Sequence, residues 1–241
     1  MRLGRILAAA LGAAALAVGG AAEAQHGPAV QRVLDRARAA SGGAAWTRIA
    51  GLHEVGSEAG LRYERWVDLL RYGVRTEVQT PTGKVVRGYN GYGAWSLLPA
   101  GADRSGETNP VLAKARTDAF FAAQGYLFPS RFDLRTSYVG VRTAEGRRFD
   151  VVRIQPAGGE AREVWFDRAT GLPGRIVETG GPRPVTVSLA DYRRAGPVLA
   201  PYRVTISGGD LARPVERQLD RADAPHRVDR EMFSLSRPKG R

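Results

Sequence analysis

The chain has no cysteine. That excludes disulfides, thiolate metal sites and cysteine nucleophiles together. Histidine is nearly as scarce, with His26, His53 and His226 far apart and no two at the short spacing of a metal-binding pair. Zinc sites ordinarily bring at least two ligands close in sequence, so no metal centre is expected. There is no Gly-x-Ser-x-Gly nucleophile elbow either. Gly88-Tyr89-Asn90-Gly91-Tyr92-Gly93 has the glycines of a phosphate loop but not its Lys-Ser/Thr ending, and it reads as a hairpin turn. The carboxylate pairs Glu160/Glu163 and Asp220/Asp223 each lie beside arginines, the ordinary pattern of surface ion pairing. With these signatures missing, neither an enzyme nor a bound cofactor is expected.

Long apolar runs are absent except at the N-terminus. Met1-Arg2-Leu3-Gly4-Arg5 is positively charged, Ile6 to about Val18 is uncharged, and Ala22-Glu23-Ala24 places small residues before Gln25. This is the pattern of a secretory signal peptide over residues 1–24, cleaved before Gln25. The run is shorter than the roughly 20 residues of a spanning helix. The expected product is a soluble periplasmic protein of one domain, 25–241, large enough to bury a full core.

Lysine is rare as well: only three of the 36 basic residues are Lys, against 24 acidic ones, for a net charge of +12. Arginines spread evenly over solvated strand faces account for such a balance. An exported protein meets little nucleic acid, so an anionic membrane surface or lipid headgroup is the expected charged partner.

Periodicity divides the remainder. Val30, Val33, Leu34, Ala37 and Ala40 recur at helical spacing after Pro28, and Ser41-Gly42-Gly43 ends the helix. From Gly51 the period becomes two. Leu61, Tyr63, Val67 and Leu69 alternate with Arg62, Glu64, Trp66 and Asp68, and Val74, Thr76 and Val78 alternate with Arg75, Glu77 and Gln79. Strands are expected at 84–89 and 94–98. One helical block starts at Asn109-Pro110, with Val111, Leu112, Ala115, Ala119 and Ala122 as its stripe, widened by Phe120-Phe121. Strands resume at 134–142, 147–155, 162–167, 174–178, 185–192, 202–207 and 215–220. Eleven or twelve short-linked strands without a βαβ rhythm predict a mainly β (α+β) fold. The expected form is a large curved antiparallel sheet, an unclosed half-barrel, with two helical pieces for its open face.

Aromatic placement is the remaining signal. Trp66, Trp95 and Trp165 fall in strands, and Phe120, Phe121, Tyr126 and Phe128 cluster on the helical block. Such residues suit an apolar cavity between a curved sheet and a covering helix. Trp66, Trp95, Leu97, Phe120, Phe121 and Tyr126 are the expected ligand contacts.

Three groups of residues then carry a family resemblance. Val33-Leu34-Asp35-Arg36-Ala37 with Ser41-Gly42-Gly43-Ala44-Ala45-Trp46, and the hairpin from Gly88 to Trp95, are similar to the leading helix and glycine hairpin of LolA-like periplasmic proteins. Glu163-Val164-Trp165-Phe166-Asp167-Arg168-Ala169-Thr170-Gly171-Leu172-Pro173, then Leu189-Ala190-Asp191-Tyr192-Arg193 and Leu199-Ala200-Pro201-Tyr202-Arg203, resemble their later strand and turn series. That superfamily includes outer-membrane lipoprotein carriers, and a related domain precedes some exported aspartyl proteases. The resemblance implies an unclosed antiparallel barrel whose concave face takes acyl chains of lipid or lipoprotein, in a monomer. The lid-securing arginine of the carriers has no assignable counterpart, and the catalytic Asp-Thr/Ser-Gly of the proteases is absent. An envelope interaction module, binding a protein through a sheet edge or basic face, is the alternative.

Overall fold

The computed structural model describes residues 27–103, 109–128 and 130–235. The expected signal peptide and its cleavage site lie outside the described residues.

After helix α1 (Pro28–Ser41) and a 3-10 turn (Gly43–Thr47), the strands β1 (Gly51–Glu58), β2 (Leu61–Asp68), β3 (Val74–Thr80), β4 (Gly83–Tyr89), β5 (Ala94–Leu98) and β6 (Gly101–Asp103) follow. Helix α2 (Asn109–Ala122) and a 3-10 turn (Gly125–Leu127) come next. Then come β7 (Leu134–Ala144), β8 (Arg147–Pro156), β9 (Arg162–Asp167), β10 (Pro173–Glu178), β11 (Val185–Ala195), β12 (Val198–Gly208) and β13 (Val215–Asp223). All 13 strands belong to one antiparallel sheet in the order β6-β5-β4-β3-β2-β1-β13-β12-β11-β10-β9-β8-β7. Every strand therefore pairs with its neighbour in sequence except at one place, β6 to β7, and β13 returns to pair with β1. The sheet stays open at that seam, and α2 is the segment that crosses it. The fold is the unclosed half-barrel that alternation predicts.

Two elements differ from expectation. β6 has three residues, too few to show a period. β12 begins at Val198 and runs through Pro201, which stands opposite Tyr192. β13 pairs only with Arg203 to Ile206, so Pro201 lies in the stretch of β12 that has one neighbour.

The core occupies one end of the concave face. Val30, Val33, Leu34 and Ala37 of α1 pack there with Trp46, Tyr126, Leu127, Phe128 and the inward residues of β8, β9 and β12. Trp46 is fully buried, and its indole N–H donates to Ser41 Oγ at 3.0 Å. Arg36 fastens the outer side of α1 to Asp150 at 2.7 Å.

The opposite face of β1–β5 is covered by the C-terminal segment. Pro225 O accepts from the N–H groups of Ala50 and Gly51, Arg75 donates to Met232 O, and Trp95 Nε1 donates to Phe233 O at 2.8 Å. Three missing side chains make room. A Cβ would come within 2.3 Å of Val228 at Gly51, 2.7 Å of Phe233 at Gly73 and 2.2 Å of Trp95 at Gly88. Phe233→Ala is expected to cost about 3 kcal/mol, as burial of a large aromatic implies. Urea unfolding should show that loss together with a red-shifted tryptophan emission, since Trp95 loses its cover.

Asp167 organises the β9–β10 turn, accepting from Ala169 N at 2.7 Å, Thr170 N at 2.9 Å and Arg147 Nε at 2.8 Å. Burial opposes its ionisation. The two backbone donors and Arg147 outweigh burial and hold the carboxyl below the usual range. A depressed folded pKa means a contribution present above the unfolded value, near 4, and lost as pH falls through the folded one. Asp167→Asn should therefore lower Tm at pH 7 and flatten the fall of Tm under acid; a pH series of thermal melts checks both.

Candidate functional site

Between α2 and the concave face lies a cavity of about 690 Å³. Its size falls within the range of small-molecule sites. The helix offers one face to it, Val111, Ala115, Ala119 and Ala122, with Lys114 and Asp118 beside them and Phe121 at the inner end. This is the alanine stripe of the sequence, and its small side chains leave the space open. The facing wall from β10 to β12 is aliphatic, with Ile176, Val187, Leu189, Val204 and Ile206. Tyr126 and Tyr192 close the inner end. Both phenols are raised above the usual range by burial and stay neutral.

The wall from β1 to β5 is different. Antiparallel registration aligns Leu52, Val67, Val74, Tyr89 and Ala94 in one apolar row across the five strands. Two residues along each strand, in the same phase, Glu54, Arg65, Thr76, Arg87 and Ser96 form a second row. All five of these polar residues line the cavity. Arg65 and Glu54 pair at 2.7 Å, with Glu54 almost fully buried. Burial works against the Arg65 charge, and the Glu54 carboxylate more than restores it, so the guanidinium keeps its proton. Its Nε nonetheless has no acceptor among the described residues.

Two further arginines reach the cavity, each paired with a carboxylate. Arg217 pairs with Glu58 and covers the Tyr63 ring at 4.4 Å. Arg162 is buried on β9 and joins α2 to the sheet. It pairs with Asp118 of the helix and, at 2.7 Å, with Glu178 of β10, while its guanidinium lies 5.2 Å from the Phe121 ring centre. Thr117 Oγ1 accepts from Glu160 N at 2.7 Å and ties the helix to the connection between β8 and β9.

The six residues expected to touch a ligand divide by face. Phe121 and Tyr126 line the cavity. Phe120 is adjacent but fully buried among Tyr72, Phe132 and Tyr126, a packing position. Trp95 borders the cavity, but its indole lies over Gly88 on the covered back of the sheet, bonded to Phe233. Leu97 shares that strand phase, opposite Val86, and is outside the lining. Trp66 is in register with His53 and stacks on it at 4.9 Å, away from the cavity. His53 Nε2 lies 2.8 Å from Glu64 on this same outer face, and His226 contacts the Arg48 carbonyl. The polar row escaped the sequence reading although a signal exists. Each of Glu54, Arg65, Thr76 and Arg87 occupies the inward phase of its strand, two residues from an apolar neighbour.

No family model and no curated relative matches this sequence. Solved structures do. A LolA superfamily protein from Nitrosomonas europaea superposes with a TM-score of 0.55 at 11% identity, covering 85% of this chain and 97% of its own. An outer membrane lipoprotein-sorting protein domain from Vibrio parahaemolyticus gives 0.51 at 13% identity, covering 85% and 97%. A DUF1329 family protein from Desulfovibrio piger gives 0.54 at 11%, covering 86% and 97%. The chain thus has the LolA-like fold over most of its length.

Glu54→Leu would strand Arg65 without the one carboxylate it pairs with among the described residues. Urea titration should show a loss of about 2–3 kcal/mol, and the double change Glu54→Leu with Arg65→Met should recover most of it, as expected for a buried pair.

Proposed function

We propose that this protein is an exported carrier or binding protein for an acyl lipid, or for the acylated end of a lipoprotein, held between α2 and the concave sheet face. The observation that carries this reading is the cavity itself. Its inner end is aromatic, its β10–β12 wall is largely aliphatic, and the helix above presents alanines where larger side chains would have filled the space. Apolar surface exposed in such a concavity gains most from a hydrocarbon occupant, at about 25 cal/mol per Å² withdrawn from water. A continuous cavity also favours a carrier over an interaction module, which would have a solid interior. Structures sharing the fold bear the names LolA superfamily protein and outer membrane lipoprotein-sorting domain, which supports the same ligand class.

Phe121, Tyr126 and Ala115 are the contacts assigned to the acyl chain. The arginine-rich surface suits transient docking on an anionic membrane. Among the described residues, no helix is long and apolar enough to cross a membrane.

The test is to occupy the cavity from within. Ala115→Trp projects an indole from α2 into the space, and uptake of the neutral fluorophore N-phenyl-1-naphthylamine should fall at least about tenfold with the circular dichroism spectrum unchanged. Undiminished uptake by the folded variant would sink the assignment of the cavity. Native mass spectrometry of protein isolated gently from envelope extract should in parallel show bound acyl lipid.

A further inference from the structure

We infer that the amphiphile taken by this cavity carries a single negatively charged oxyanion, carboxylate or phosphate, and that the row Arg87–Thr76–Arg65 on β4, β3 and β2 receives it. The inference rests on the carrier reading and specifies its ligand.

Among the described residues, the row is the part of the wall whose charge is not internally matched. Lys114, Arg162 and Arg217 each meet a carboxylate within the protein. The Nε of both Arg65 and Arg162 lacks an acceptor among the described residues, but Arg162 meets two carboxylates, whereas Arg65 shares the single carboxylate of Glu54 in a row that also holds Arg87. Arg87 has no ion pair or side-chain hydrogen bond among the described residues. Thr76 and Ser96 stand directly beside it in the register, one on each neighbouring strand. The row therefore holds two guanidiniums and two hydroxyls against one carboxylate, an excess of one positive charge.

Guanidinium suits oxyanions because its planar N–H groups match two oxygens at once, and charge-assisted bonds of this kind are about twice as strong as neutral ones. Neighbouring strands lie about 4.8 Å apart, so Arg87 and Arg65, two strands away from each other, can flank a head group roughly 5–10 Å across. The apolar row from Leu52 to Ala94 runs alongside, and the aliphatic β10–β12 wall faces it across the cavity. A head held on the row leaves its chain in contact with hydrocarbon. An uncharged lipid would fill the same apolar space but leave the row's positive charge unanswered, at a desolvation cost.

The test uses matched ligands below their micellar concentrations, competing with N-phenyl-1-naphthylamine on the mature protein. Dodecanoate is compared with dodecanol, and a short-chain phosphatidylglycerol with the corresponding diacylglycerol; inorganic phosphate is a separate arm. Wild type should bind each anionic member about tenfold more tightly than its neutral match, as one added charge-assisted contact implies. Arg87→Gln, a change at an exposed side chain, should abolish that preference while the neutral lipids bind as before. Phosphate alone should displace nothing. Equal affinity for anionic and neutral members in wild type overturns the oxyanion inference and leaves the carrier reading standing, as does a preference that survives in Arg87→Gln. Displacement by phosphate alone overturns the amphiphile in favour of a free anion. If no lipid of either kind competes, the carrier reading itself fails and this inference falls with it.

Discussion

A sheet continuous from β6 round to β7, but unpaired between those two strands, has one concave face and no way to bury it by closure. The interior then has to be completed by something other than strands. α1 and the turn after α2 fill one end with side chains, and α2 lies across the other with alanines turned inward. The seam sets the position of α2 in sequence as well as in space, because it is the one connection that does not join paired neighbours. What is left between helix and sheet is the cavity, whose shape follows from the small residues on α2 and whose chemistry follows from the phase of each strand.

The strand phase also explains what could and could not be seen beforehand. The two-residue period, the start of α2 at Asn109-Pro110 and the open antiparallel architecture are local properties, and they are legible in the sequence. Facing is legible too, provided the phase is followed. Trp66 alternates with Tyr63 and Val67 and sits among Arg62 and Glu64, so the pattern itself assigns it to the outer face. Aromatic character alone points to Trp66 as a ligand contact only if that phase is ignored. The phase of Trp95 and Leu97 is harder to read. Their side of the sheet is apolar because a segment more than 120 residues later folds back over it, and only Gly51, Gly73 and Gly88 hint at the space that segment needs. On α2 the stripe of Val111, Ala115, Ala119 and Ala122 meets the cavity, while Phe120 on the same helix turns into the core.

Charged residues in the inward phase are the costly element of the design. Glu54, Arg65, Arg162 and Arg217 would be expelled from a purely hydrocarbon interior. Each is retained next to a partner, so the wall presents paired charges beside an apolar floor. The pairs do two separate things. Arg162 bonds across elements, tying helix to sheet, whereas Arg65 and Glu54 bond between adjacent strands in one row with Arg87, which is unpaired among the described residues.

The last strand in the sheet order, β7, presents eleven residues along an open margin. Its pairing with β8 slips between Tyr138 and Gly140, where Gly140 takes a φ of 126°. An extended segment arriving from another molecule can follow the ladder for only a few residues before the spacing of donors and acceptors fails. Arg135 and Arg142 bracket the slip, so two copies meeting margin to margin would also meet like charges. The half-barrel thereby keeps its concave face open without offering this margin as a template for polymerisation.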